Sequence, residues 1–215
     1  WNAANYWIYD WMHSNAFHFD EEESVIYVSH RHLSRISKIS YPSGEVIWNM
    51  GLPANYNTGD QNICTDLLFS FQHNIQMIDN GDLLFLDNGN LSQLLLGDSN
   101  PTSRIRRIRV IDDSYCETVW QYDLPQNLYG SGHGSVQLLK NGNYSICTVG
   151  SGFGEWEPSI FEITPEGDMV WKATTDNSSY WYRAYKIPSI HPNAFSVLFD
   201  QYRNVNIDGN SFTGV

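Results

Sequence analysis

Apolar residues in this chain come in short bursts separated by glycine, asparagine, aspartate and proline, a punctuation that reads as strands joined by turns. Residues 35–40 (Arg-Ile-Ser-Lys-Ile-Ser) alternate apolar and polar with period two, the pattern of a half-buried strand. Residues 24–29, Leu83–Asp87, Arg104–Ile111, Tyr144–Thr148 and Ser159–Ile163 are further strands by the same criterion. No stretch carries sustained helical periodicity. Residues 51–66 and Asn88–Ser103 read as polar loops, and the arginines at 104, 106, 107 and 109 as the solvated face of a strand. A later round opens at Tyr182–Tyr185, passes Ile190–Asn193 and reaches Phe195–Phe199.

The bursts recur in rounds. Each round contains a turn leading into a strand that ends in tryptophan: Glu45–Trp48, Glu117–Trp120 and Asp168–Trp171. Repeated strand units of roughly 40–60 residues predict an all-β protein, a β-propeller of four-stranded blades, with the tryptophans packing blade on blade. The blades divide approximately as 1–60, 61–123, 124–173 and 174–215, which gives three and a half to four. Propellers close with four to eight, so the chain is expected to be an incomplete part of a larger ring. It begins at Trp1 without an initiator methionine or a signal-peptide pattern, as an excised segment would. An open ring exposes sheet edges, which predicts a homo-oligomer or larger assembly.

Composition narrows the function. Aromatics are 14% of the chain and charged residues only 17%, which suits a β-rich globular domain rather than a disordered one. The net charge of −12 argues against nucleic acid as a partner, because phosphate binding needs basic patches. No apolar run is long enough to span a membrane. Cys64, Cys116 and Cys147 lack CxxC spacing, so they do not read as a zinc site; one disulfide plus a thiol, or three thiols, both fit. Asp87 and Asp112-Asp113 could hold structural Ca²⁺, but no EF-hand spacing is present.

The chemistry-bearing signal is a histidine register. His13, His73 and His133 lie 60 residues apart, each in a turn-rich segment ahead of a strand. A residue at one position of consecutive blades points to one focus. Three such histidines can bind zinc or copper, although the helical His-x-x-x-His pattern is missing and no metal is expected. As catalytic groups, a neutral His73 is a competent nucleophile and His13 a general acid. Arg31 and Asn15 add donors for an anionic group.

Asp10-Trp11-Met12-His13-Ser14-Asn15, Ser29-His30-Arg31, Gly44–Trp48, Phe69-Ser70-Phe71-Gln72-His73 and Asp87-Asn88-Gly89 follow one another in an ordered set. With Gly134–Asn143, that set resembles the PAPS-independent arylsulfotransferase family over residues 10 to about 200. The resemblance implies a six-bladed propeller in the periplasm or outside the cell that moves a sulfuryl group between phenols and aryl sulfates without a nucleotide cofactor. It implies His73 as the nucleophile that becomes sulfated, with His13, Asn15 and Arg31 holding sulfuryl oxygens and assisting the leaving phenol. A further family histidine would fall before Trp1, and a family hydroxyl position would fall in the Ser131–Ser135 loop. His133 and Ser135 are the substrate-binding candidates there. A second class of function stays open beside this one: a non-catalytic propeller for adhesion, carbohydrate binding or assembly, since one fold hosts many functions.

Overall fold

The computed structural model describes residues 10–52, 61–150, 157–175 and 179–187, together with the backbone of 207–208 and 211–212. The chain separates into two compact units, Trp1–Tyr185 and Lys186–Val215. In the second unit, the described strands β14 (Ile207–Asp208) and β15 (Ser211–Phe212) pair as a short antiparallel ladder.

The first unit is built from three successive sheets. The first contains β1 (Ser14–Asp20), β2 (Val25–His30), β3 (Arg35–Ser40) and β4 (Val46–Gly51), antiparallel in chain order, with β5 (Gln61–Ile63) added parallel to β4. The second is β6 (His73–Met77), β7 (Leu83–Asp87), β8 (Arg104–Ile111) and β9 (Tyr115–Asp123); the third is β10 (Ser135–Leu138), β11 (Tyr144–Thr148), β12 (Ser159–Ile163) and β13 (Met169–Thr174). Each four-strand meander is one propeller blade. The first strands of successive blades touch, β1 with β6 and β6 with β10, and so form the inner edge.

Blade-to-blade packing supplies the core. Val25, Tyr27, Ile36, Trp48 and Met50 of the first blade bury against Phe69 and against Ile75, Leu83, Phe85 and Ile108 of the second. Leu84, Leu86 and Ile105 bury on the other side, against Val136, Tyr144, Ile146, Phe161 and Ile163 of the third. The run Leu83-Leu84-Phe85-Leu86 is thus continuous in sequence because β7 is covered on both faces, alternate residues serving opposite neighbours. The same cover overturns the solvated reading for two of the four β8 arginines, while Arg107 and Arg109 stay partly exposed. Arg104 and Arg106 are buried, and the four are paired: Arg104 with Asp98 and Asp123, Arg106 with Asp87, Arg107 and Arg109 with Asp82. Charges beneath a neighbouring blade persist only with such partners.

The tryptophan repeat works through a repeated irregularity. On the fourth strand of every blade the register shifts just before the tryptophan, leaving Ile47, Val119 and Val170 as extra residues opposite the third strand. Trp48 is fully buried and donates Nε1–H to Asp113 Oδ1 at 2.7 Å, in the β8–β9 turn of the next blade. Trp120 stacks on Tyr144 at 4.0 Å and donates to the Pro165 carbonyl at 2.9 Å, in the matching turn of the third blade. Trp171, on the third blade, is 53% exposed.

Two loops hold more structure than their composition predicts: β5 lies within 51–66, and a short helix α1 (Ser92–Leu96) within 88–103. The strand predicted at Phe195–Phe199 and the Ile190–Asn193 segment lie outside the described residues. Among the described residues no helix is long and apolar enough to cross a membrane. A disulfide joins Cys64 to Cys116, tying the end of β5 to β9, while Cys147 is a buried thiol. Closing a loop across a separation of 52 residues removes unfolded-state entropy worth about 4 kcal/mol in the chain-entropy model. We expect Cys116→Ser to lower the unfolding free energy by about 2–4 kcal/mol, read from urea denaturation. The reducing agent dithiothreitol should produce the same loss in the unmutated protein and no further loss in the variant.

Candidate functional site at the inner edge of the blades

All three histidines of the register sit where a blade begins. His13 immediately precedes β1, His73 opens β6, and His133 lies two residues before β10. The backbone is irregular at each. His13 and His133 adopt φ of 50°, and Phe71 and Asn74, flanking His73, adopt 58° and 60°. Non-glycine residues rarely take such values, and they concentrate at functional sites. Bulges add to this: the β1–β2 register shifts at Asn15, and the β6–β7 register between His73 and Gln76. The inner edge is thereby aimed by bulges rather than by a regular pleat.

His73 is wholly buried, and its ring is held from both sides. Asn88 Nδ2 donates to the carbonyls of Gly130 (2.8 Å) and His133 (3.2 Å), which fixes the carboxamide with its oxygen toward the imidazole. Oδ1 then accepts from His73 Nδ1 at 2.7 Å, with the Phe71 carbonyl a second acceptor at 3.1 Å. Nδ1 therefore carries the proton and Nε2 the lone pair. That lone pair faces the peptide N–H of His133 at 3.2 Å. Burial pushes the His73 pKa down to about 3; the Arg31 and His133 charges act in the same sense, and the Asn88 hydrogen bond opposes them. At neutral pH the ring is an uncharged base.

The surrounding groups come from all three blades. Asn15 donates Nδ2–H to the Gln72 carbonyl at 2.8 Å, tying β1 to the residue before His73, while its Oδ1 is buried without a hydrogen-bond partner. Arg31 lies over the Phe71 ring at 4.6 Å and reaches the Ser131 carbonyl at 3.4 Å. His13 Nδ1 contacts the Asp10 carboxylate, and its ring lies 4.6 Å from that of His32. His133 sits edge-on to His73 at 6.1 Å and 4.6 Å from the Tyr182 ring, with Tyr180 at 5.6 Å. Burial lowers the His133 pKa, and the charges of Arg31, His13 and Arg183 lower it further. Gly134, at φ +94°, makes this approach feasible, since a Cβ there would fall 2.5 Å from Leu86 Cδ2 and 2.6 Å from the Cys147 carbonyl. Ser135 stands apart: its buried hydroxyl donates to the Ala184 carbonyl (2.9 Å) and accepts the Ala184 N–H (3.1 Å), a backbone clasp.

Several members of the site have no role in the sequence reading. Asn88 is one: Asp87-Asn88-Gly89 belongs to the ordered motif set, but the set assigns it no role. Asp10 and His32 are others. Arg183 is a fourth: it donates to the Asn15 carbonyl, linking the segment after the third blade back to the first, and its Nε is buried without a partner. Nothing in Tyr182-Arg183-Ala184-Tyr185 singles it out in the sequence.

A propeller that gathers imidazole, guanidinium and carboxamide groups at one inner edge is the class these elements define. Residues 7–183 match the family described as arylsulfotransferase (ASST), and the chain belongs to that family. Among proteins with curated descriptions, none matches in sequence. Solved structures offer distant likenesses. A protein of unknown function from Bacteroides caccae is 14% identical over 74% of this chain and 45% of its own, with a TM-score of 0.46. The Kuenenia stuttgartiensis hydrazine synthase is 11% identical over 76% and 37%, TM-score 0.44, and the Dos1 propeller 10% over 77% and 36%, TM-score 0.45. This chain thus spans less than half the length of each, and such distance carries no inference about activity.

The buried histidines set an acid sensitivity. His30, whose Nδ1 lies 2.8 Å from the Ser14 hydroxyl, is driven down to about 4, by burial first and then by the Arg35 charge. Both His30 and His73 bind protons less readily folded than unfolded, where the value is about 6.5. Their contribution is fully present above that value and shrinks as pH falls toward the folded values, because the unfolded chain takes up protons first. We expect urea-unfolding stability to fall between pH 6.5 and 5 by roughly 1 kcal/mol per pH unit for each histidine. His73→Gln should flatten that slope by about half.

Proposed function

We propose that the protein transfers a sulfuryl group from an aryl sulfate to a phenol through a sulfohistidine formed on His73. The observation that carries this reading is the pinning of the His73 Nδ1–H on Asn88 in a ring kept neutral, which leaves the Nε2 lone pair, on the His133 side of the ring, as the nucleophile. In the first half-reaction Nε2 attacks sulfur, the N–S bond forms, the S–O bond to the aryl group breaks, and the departing phenolate takes a proton from His13. The His133 N–H gives up Nε2 as the new bond forms and turns to a sulfuryl oxygen. Arg31 and Arg183 supply the charge that balances the transferred group. In the second half-reaction an acceptor phenol passes its proton to His13, and its oxygen displaces His73 from sulfur. The Asp10 carboxylate holds the proton on His13 Nδ1, so that Nε2 handles the exchange with the phenol. Family membership supports phenolic donors and acceptors, and the Cys64–Cys116 disulfide supports the periplasm or the cell exterior as the working compartment.

Incubation with a chromogenic aryl sulfate, followed by intact-mass spectrometry and peptide mapping, tests the mechanism. We expect one SO₃ unit on the peptide containing His73, discharged when phenol is added. Its absence from folded protein, or its presence on another residue, would falsify the assignment. In protein confirmed folded by near-ultraviolet circular dichroism, Asn88→Ala should lower the rate of adduct formation by about 100-fold, because the ring loses its register.

A further inference from the structure

We propose that Asp10, His13 and His32 form a binding site for a divalent transition-metal ion of the zinc class, and that an ion held there stops turnover by occupying His13. One ligand atom from each of the three lies within 4.8 Å of the other two. Two imidazoles and one carboxylate are a donor set that zinc takes in tetrahedral sites, with water completing the coordination.

The local backbone favours this arrangement. His32 Nδ1 sits 2.6 Å from the Asp10 carbonyl; a carbonyl only accepts, so Nδ1 is protonated and Nε2 is the basic nitrogen. A metal-binding histidine is commonly oriented by such a donation from its other nitrogen. The His32 N–H bonds to the Met12 carbonyl at 3.2 Å and the Arg31 N–H to the His13 carbonyl at 3.1 Å, so the 10–13 and 31–32 segments are strapped side by side. The two imidazole rings are 4.6 Å apart as a result. Side chains of Asp10 and His13 are about two-fifths exposed, at 44% and 40%, which leaves an entry route for an ion.

The charges agree. The hydrogen bond to His13 holds the Asp10 carboxyl below its usual range, so it is an anion at neutral pH. Burial lowers the His32 pKa, and the Arg31 and His13 charges add to this against the Asp10 carbonyl, which leaves the imidazole neutral and able to ligate. Arg31 repels an incoming ion, but its guanidinium is turned onto Phe71 and Ser131, and ionised Asp10 offsets it. On binding, the ion displaces the proton between Asp10 and His13 into solvent. With Nδ1 on the ion and the one remaining proton on Nε2, His13 is no longer an imidazolium that yields this proton readily to a leaving phenolate, and it has no free lone pair to take the acceptor phenol's proton.

The inhibitory half of the inference rests on the role given to His13 above; the binding half does not. Co²⁺ is the probe, because in a site of this kind it gives a visible absorption band. Titrated into chelator-treated protein, Co²⁺ should produce that band with one-to-one stoichiometry, and Zn²⁺ should abolish it. His32→Gln and Asp10→Asn, each confirmed folded by near-ultraviolet circular dichroism, should each weaken Co²⁺ binding by more than about tenfold. Zn²⁺ should inhibit aryl sulfate turnover in the unmutated protein, and each variant, normalised to its own zinc-free rate, should need more than about tenfold more Zn²⁺ for equal inhibition. No band in the unmutated protein, or one whose affinity survives both substitutions, overturns the site. A band without zinc inhibition upholds the site and overturns the block at His13. Zinc-free protein that shows no turnover counts against the proposed function, and the Co²⁺ titration still decides the site.

Discussion

The burial of an uncharged imidazole is the constraint around which the inner edge is arranged. The partners of His73 are a carboxamide, a carbonyl and a peptide N–H, none of which bears a formal charge to stabilise an imidazolium. Excluding the proton turns a common pH-sensitive side chain into a standing base, at a cost in stability that grows as the solution becomes acid. Asn88 is the hinge of this arrangement. It belongs to the second blade, yet it grips the 130–133 loop that leads into the third, and Ser103 backs it by bonding both the Asn88 and Gly130 carbonyls. Blade assembly and imidazole orientation therefore depend on the same few hydrogen bonds.

What the sequence made legible follows from where each strand lies. Arg35–Ser40, Leu83–Asp87, Arg104–Ile111, Tyr144–Thr148 and Ser159–Ile163 are observed over the residues expected, because middle strands are dominated by packing and packing is written as periodicity. The innermost strands β1, β6 and β10 escape that test. They are rich in polar residues and, in two of three cases, bulged, since their residues serve the site as well as the core. The histidine register found these strands where hydrophobicity could not. The role of Asn88 stayed hidden for a different reason: asparagine before glycine is ordinary turn chemistry, and only the fold shows its side chain turned onto His73.

The β8 arginines show a limit of a local reading. Alternating charge along a strand suggests one wet face, but the first half of β8 is covered on both faces by neighbouring elements. The carboxylates that satisfy Arg104 and Arg106 lie at 87, 98 and 123, on separate elements. The tryptophan repeat shows the opposite case, in which a local signal had a uniform structural meaning. In each blade an extra residue before the tryptophan re-aims the strand, and in the first two the indole nitrogen hooks the outer turn of the blade that follows.

The clasp between Ser135 and Ala184 carries a consequence for how this protein could diversify. The segment at 182–185 is fastened to the start of the third blade through the backbone of Tyr182 and Ala184, by the Gly134 N–H to the Tyr182 carbonyl and by both bonds of the Ser135 hydroxyl. None of those bonds involves the rings of Tyr180 or Tyr182, which stand beside His133. The rings of Tyr180 and Tyr182 can thus be exchanged without loss of the bonds that Ser135, Gly134, Arg183 and Tyr185 make to hold the segment. Descendants of this chain could therefore vary the aromatic rings beside His133 while the backbone that carries them stays as it is.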